Sequence, residues 1–294
     1  MYLGNKSRRL KTPLRYPGGK SRAAKYLVGQ FPTDIKEYRE PFLGGGSVAI
    51  QFTKENPDIP VWVNDKYFYL FNFWRQLQEN PEELTELLKD LKDNNNTPET
   101  ARVLFNNCKE RIKDGTYEIH QAAYFYVLNK CSFSGLGENS SFSPQASDSN
   151  FSMKGINRLP AFSEIIKNWK ITNQDYTTLL KDTEDAFVFM DPPYDIKSFL
   201  YGEKGGTMHR NFTHDTFALD CSTSGKKWMI TYNSSDAIKK LFENYNVTEW
   251  DLTYTMRSTG SYNIDQSERK ELLITNYTNS TLLDLFDEPA VQTI

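Results

Sequence analysis

Short apolar runs alternate with amphipathic stretches along most of the chain, and the alternation is broken once. The spacing predicts a helix near Ser21, with Ala23, Ala24, Leu27 and Val28 on one face. A short strand ending at Pro41 and Phe42 follows, then three glycines, then a helix from about Ser47. VWVND, residues 61–65, reads as a second strand closed by an acid. From 67 to 130 the period is helical. PEELTELLKDLKD opens on a proline and acids, as helix starts do, and IHQAAYFYVLNK is apolar along one side. Residues 138–155 are rich in serine and asparagine with little periodicity, which predicts an exposed loop or irregular hairpin. Strands resume at 168–173, 185–190, 226–232, 245–255 and 269–276, with helices between several of them and a loose acidic tail from Asp284. The pattern predicts an α/β fold: a Rossmann-like, parallel-rich sheet formed by residues 1–75 and 161–294, interrupted by a helical domain at 76–160.

Composition narrows the class. With 294 residues and 38 % hydrophobic content, the chain can bury a sizeable core. No run approaches the roughly 20 apolar residues that cross a bilayer, and the basic N-terminal stretch lacks the apolar centre of a signal peptide, so a cytoplasmic protein with no membrane association is expected. Cys108, Cys131 and Cys221 lie far apart without a CxxC pair, which argues against a disulfide framework or a zinc site. The net charge of -3 hides an asymmetry: Lys6, Arg8, Arg9, Lys11, Arg15, Lys20, Arg22 and Lys25 all precede the first acid, Asp34. Such an arm is either merely solvated or follows a phosphate backbone, and in the second case Arg8, Arg9 and Lys11 are candidate DNA contacts.

Three segments carry candidate chemistry. EPFLGGGSVAI, 40–50, sets Gly44, Gly45 and Gly46 between a strand and a helix, where a ligand can approach the backbone. Gly44 to Ala49 fits G-x-G-x-x-A, and Asp65 lies about 20 residues on, the spacing of an acid that holds ribose hydroxyls. A nicotinamide enzyme and an S-adenosylmethionine enzyme share that requirement. RYPGGKS, 15–21, ends like a phosphate loop but has Leu14 where the first glycine must stand; a lysine on such a turn instead suits a carboxylate, such as the methionine end of S-adenosylmethionine. FVFMDPPYDI, 187–196, runs from a buried strand into Asp191, Pro192, Pro193 and Tyr194. The prolines remove two donors and stiffen the turn. An exocyclic base amine is a poor nucleophile because its lone pair is delocalised into the ring. Asp191 and the Pro192 carbonyl, as two rigid acceptors, favour its pyramidal form, while Tyr194 offers a stacking face to a base turned out of the helix.

In these motifs the chain resembles the Dam-like DNA adenine-N6 methyltransferases over most of its length. RYPGGK is similar to the family's N-terminal cofactor motif, EPFLGGGS to its glycine motif, VND to the ribose-binding acid, LNKCSFSGL to part of the target-recognition region and DPPY to the catalytic motif. The resemblance implies an S-adenosylmethionine-dependent methyltransferase that acts on double-stranded DNA, with 76–160 as its target-recognition domain. It implies cofactor contacts from Tyr16, Lys20, Phe42, Gly44, Gly46, Asp65 and Asp191, and from Asp175 in ITNQDYTTLL for the cofactor adenine. Asp191, Pro192, Pro193 and Tyr194 become the catalytic set, and Ser134, Leu136 and Asn139 candidate base contacts. One departure matters: relatives specific for GATC carry arginine shortly after the GL pair, where this chain has Gly137 and Glu138. An acid cannot make arginine's bidentate contact to guanine, so a target other than GATC is expected.

Other residues take ordinary readings. Cys131 has no preceding proline and reads as a helix-end cysteine, not the nucleophile of a cytosine-C5 enzyme. His209 and His214 have no further histidine nearby, so no metal is expected. Residues 195–212, with Gly202, Gly205 and Gly206, form a loop or a lid over the flipped base. Cytosine-N4 methylation is the nearest alternative, because one mechanism serves any exocyclic amine; a nicotinamide oxidoreductase is more distant, since DPPY has no role there. A functional link to a restriction endonuclease is open.

Overall fold

The computed structural model describes residues 12–115, 117–133, 140–182, 185–194, 212–251 and 270–278. The candidate DNA contacts Arg8, Arg9, Lys11, Ser134, Leu136 and Asn139 lie outside these residues, as do the acidic tail and all of the predicted 195–212 loop except Phe212.

Among the described residues seven strands form one sheet: β1 (Tyr38–Glu40), β2 (Val61–Asn64), β3 (Lys170–Thr172), β4 (Phe187–Met190), β5 (Lys227–Asn233), β6 (Asn246–Asp251) and β7 (Lys270–Thr275), in the order β3-β2-β1-β4-β5-β7-β6. The first five strands pair in parallel. The expected parallel-rich sheet therefore forms, with a local exception: β7 lies antiparallel between β5 and β6. Strand β4 explains its continuous apolar run, because helices cover both faces of this part of the sheet. Phe187 and Phe189 enter one core, while Val188 and Met190 enter the other.

On the first face lie α1 (Ala24–Val28) and α2 (Ser47–Glu55), and on the second the helices after β4, α11 (His214–Thr223) and α12 (Asp236–Leu241), which contribute Phe217, Cys221 and Ile238. Between β2 and β3 the chain is helical: α3 (Phe68–Glu79), α4 (Pro81–Asp93), α5 (Pro98–Arg111), α6 (Glu118–Cys131), α7 (Pro144–Ser149), α8 (Met153–Ile156) and α9 (Leu159–Ile166). These helices extend on both sides of 76–160 and share a continuous core with the first face, through residues such as Phe73, Trp74 and Ile166. A further helix, α10 (Thr177–Leu180), precedes β4.

The serine-rich stretch departs from expectation. It contains α7 and α8, because Ser143 and Ser152 accept hydrogen bonds from the amides of Ala146 and Gly155 and Pro144 stands at a first-turn position. Phe151 between them is fully buried. Of the hairpin alternative, one isolated antiparallel bridge remains, Ser132 with Phe142. Among the described residues no helix is long and apolar enough to cross a membrane.

Candidate functional site

A cavity of about 830 Å³ opens at the carboxyl ends of β1, β2 and β4. Strands β1 and β4 are neighbours whose onward connections run in opposite directions, β1 to β2 and β4 to β5, which opens a crevice there. Tyr16, Lys20, Phe42, Gly44, Asp65, Asp175, Asp191, Pro192, Pro193 and Tyr194 all line this one cavity, though they span 178 positions of sequence from Tyr16 to Tyr194. Gly46 does not line it. At φ +66 it begins α2, and a Cβ there would stand 2.8 Å from the Trp74 ring. Gly44, at φ +49, is held as tightly by Tyr16, whose ring would meet a Cβ at 2.8 Å. Part of the glycine requirement is thus internal packing rather than room for a ligand.

The acid at the end of β2 is positioned by backbone. Asp65 accepts from the amides of Gly44 at 2.9 Å and Tyr67 at 3.0 Å. Burial pushes its carboxyl up to about 6, with the two amides opposing that shift. A carboxylate has about four acceptor positions, so two remain for hydroxyls in the cavity. Asp175 is more exposed; Lys66 at 2.9 Å and Thr177 hold its carboxyl below the usual range despite the opposing effect of burial. Between these acids, Phe42 and Tyr176 stack at 5.5 Å and Phe212 meets Phe42 edge-on, an aromatic wall suited to a flat ring.

The acid after β4 is positioned by side chains. Asp191 Oδ1 accepts from Thr231 on β5 at 2.7 Å, and Lys20 Nζ reaches Oδ1 and Oδ2 at 2.9 and 2.8 Å. The Lys20 ammonium, 4 % exposed, also donates to Gly18 O at 3.0 Å and Tyr194 Oη at 2.7 Å. Burial alone would lower its pKa, but the charges of Asp191 and Glu271 raise it above the ordinary lysine value, so it stays protonated. The Tyr194 ring stacks on Tyr232, with centroids 5.9 Å apart and planes at 28°.

Four residues that contribute here carried no functional reading in the sequence. Thr231 and Glu271 join the Asp191 network from β5 and β7. Glu40, buried on β1, accepts from Tyr38 Oη at 2.6 Å, and burial pushes it up to about 8, with the nearby Asp191 and Asp65 adding to the shift. Asn129 on α6 accepts from the Arg15 amide at 2.9 Å and donates to the Arg15 carbonyl at 2.7 Å, fastening the RYPGGK turn to the helical segment. An acid inside the apolar run ELLIT was the available signal for Glu271; Thr231 had none.

A crevice with a hydroxyl-binding acid, an aromatic wall and several carboxylates suits an adenosine bearing a cationic centre. The comparisons agree. At 25 % identity, the type II methyltransferase M1.LlaDCHI of Lactococcus lactis subsp. cremoris aligns over 287 residues, 90 % of this chain and 95 % of the relative. M.MjaIII of Methanocaldococcus jannaschii, also 25 % identical, covers 90 % and 98 %. M.CviBI of Paramecium bursaria Chlorella virus NC1A, 22 % identical, covers 91 % and 100 %. Both relatives, too, are type II methyltransferases. The family model of the D12 class N6 adenine-specific DNA methyltransferases matches residues 16–256, from the tyrosine of RYPGGK to beyond β6, and the chain belongs to that family: a site-specific DNA methyltransferase that acts on adenine N6 with S-adenosylmethionine as methyl donor.

Proposed function

We propose that the cavity binds S-adenosylmethionine on its β1–β2 side and receives, beside Asp191 and Tyr194, an adenine turned out of duplex DNA. The observation that carries this reading is the convergence of Asp65, the aromatic wall and Asp191 on one cavity. Asp65 would hold the ribose hydroxyls, Phe42 and Tyr176 the adenine ring with Asp175 at its edge, and Tyr16, Gly44 and Lys20 the methionine side. The bound cofactor supplies an electrophilic methyl group on a sulfonium.

The chain's own residues prepare the amine. Asp191, oriented by Lys20 and Thr231, accepts one N–H of the target amine and the Pro192 carbonyl accepts the other, which favours the pyramidal nucleophile. Pro192 and Pro193 stiffen the turn so that the two acceptors stay in place. Tyr194 stacks on the base, offsetting part of the cost of unstacking it from the duplex.

The helical residues 76–160 are the part we assign to reading the target, with Ser134, Leu136 and Asn139 as its base contacts and Arg8, Arg9 and Lys11 following phosphates. Glu138 sets the target apart from GATC. Because its relatives bear type II names, the chain is proposed to protect DNA from a partner restriction endonuclease. Incubating unmodified genomic DNA with the protein and S-adenosylmethionine, followed by modification-resolved sequencing, tests the whole reading. N6-methyladenine at one short motif other than GATC is expected; methylation of GATC, or modification without a motif, would overturn the assignment of the recognition residues.

A further inference from the structure

Strand β7 carries a glutamate where the sheet interior calls for an apolar side chain. Glu271 lies between Asn233 of β5 and Trp250 of β6 in the ladder and is 4 % exposed. Its Oε1 accepts from Tyr194 Oη at 2.9 Å and stands 3.5 Å from Lys20 Nζ. Its Oε2 is buried and has no hydrogen-bond partner among the described residues. A buried carboxylate oxygen left unpaired is costly, so a strand that keeps one needs a compensating use for it.

The neighbours suggest the use. One ammonium, Lys20, sits between two carboxylates and is closer to Asp191, at 2.8 Å, than to Glu271. In that position it occupies both oxygens of the group that, on the reading above, must accept a hydrogen bond from the target amine. Asp191 can turn to the amine only if the ammonium has a second anion to hold it, because a lone buried ammonium is unfavourable. Glu271 is that anion, already within 3.5 Å and with an oxygen that has no partner among the described residues. Its bond to Tyr194 serves the same end: the single hydroxyl proton goes to Glu271, so the oxygen faces Lys20 as an acceptor and the ring is tethered through its far end.

We propose that Glu271 is a positioning residue for methyl transfer, the second seat of the Lys20 ammonium and the anchor of Tyr194, which together leave Asp191 available to the target amine. The inference rests on the assignment of Asp191 as the acceptor for that amine.

The test uses the full chain, target-containing duplex DNA and S-adenosylmethionine, with single-turnover methylation rates, cofactor affinity by calorimetry and thermal melting for each variant. Glu271→Gln keeps the shape and an acceptor for Tyr194 but removes the charge that draws Lys20. Its methylation rate should fall about tenfold or more while cofactor affinity stays within about threefold. In a Lys20→Met background the same replacement should cost less than about threefold, since no ammonium remains to be shared. An unchanged rate in Glu271→Gln, or an equal loss in both backgrounds, overturns the inference. If Glu271→Gln melts far below the wild type, Glu271→Asp replaces it: it retains the charge and should keep more activity than Glu271→Leu, and equal activity of the two refutes the role. Asp191→Ala separates the levels. Should it retain the wild-type rate, the reading of the site fails; should it be inactive while Glu271→Gln is fully active, only the role of Glu271 fails.

Discussion

Two acids face the same cavity and are held in opposite ways. Asp65, at the end of β2, takes its hydrogen bonds from the backbone amides of Gly44 and Tyr67, both within 21 residues of it. Asp191, at the end of β4, takes its bonds from the side chains of Lys20 and Thr231, which are 171 and 40 positions away. Backbone donors are fixed by the strand and turn that carry them, so the β2 half of the site is rigid and tolerant of side-chain change. Side-chain donors depend on distant elements arriving in register, so the β4 half is adjustable and sensitive to single substitutions. The division matches the tasks assigned to the two halves: one binds a cofactor in a fixed pose, and the other must exchange partners when a base enters.

The contrast is broken most directly at Asp191. Asp191→Ala should lower methyl transfer by about a thousandfold or more while DNA affinity stays within a few fold, because the proposed role of the carboxylate is on the amine rather than on phosphates. Single-turnover rates and DNA titrations measure the two, and a parallel loss of both would place Asp191 among the DNA-holding groups instead. A smaller but still large effect belongs to Glu40. Its folded-state pKa of about 8 lies above the ordinary 4.5, so between these values the folded protein holds a proton that the unfolded chain releases. Stability from this group is therefore full below about pH 4.5 and is lost as pH rises through 8, by at most about 1.4 kcal/mol per unit. Melting curves from pH 5 to 8 should fall in the wild type and fall less in Glu40→Gln; equal slopes would show that Glu40 carries its charge without penalty.

Asp65 sharpens the other side of the comparison. Asp65→Ala should weaken cofactor binding by about 1.5–3 kcal/mol, the scale of charge-assisted hydrogen bonds to hydroxyls, with the fold retained because the lost partners are loop amides. With its carboxyl pushed up to about 6, protonation below that value removes an acceptor, so wild-type affinity should drop on acidification through pH 6. Calorimetry would find that drop absent in the variant, and a drop of equal size there would move the titration to another group. The smallest effect concerns neither half. Neutralising Arg8, Arg9 and Lys11 should flatten the dependence of log DNA affinity on log salt by about 0.9 per phosphate contact removed, with the sequence preference intact. A wild-type slope in the triple variant would leave the arm solvated and shift phosphate binding to the helical segment.

Periodicity and local motifs determined much of this protein. The alternating pattern specified the parallel strands and the helical interruption, since burial on two faces or one imposes its own spacing of apolar residues. EPFLGGGS and VWVND specified the Asp65 half of the site, because its bonds close within a short stretch of chain. DPPY marked the other half by its stiffness, its acid and its aromatic face. The serine-rich stretch misled: capping serines and a buried Phe151 made two short helices where composition predicted a loop. What only the tertiary structure decided were relations across the sheet. No local signal said that β7 would enter antiparallel between β5 and β6, and that insertion brings Glu271 to Lys20 and Tyr194. Nor could the sequence say that Lys20 would spend its ammonium on Asp191, or that Asn129 would clasp Arg15. Such contacts join residues 77 or more positions apart, and they exist only because strand order is set by the packing of the whole core, a property that no short window of the chain contains.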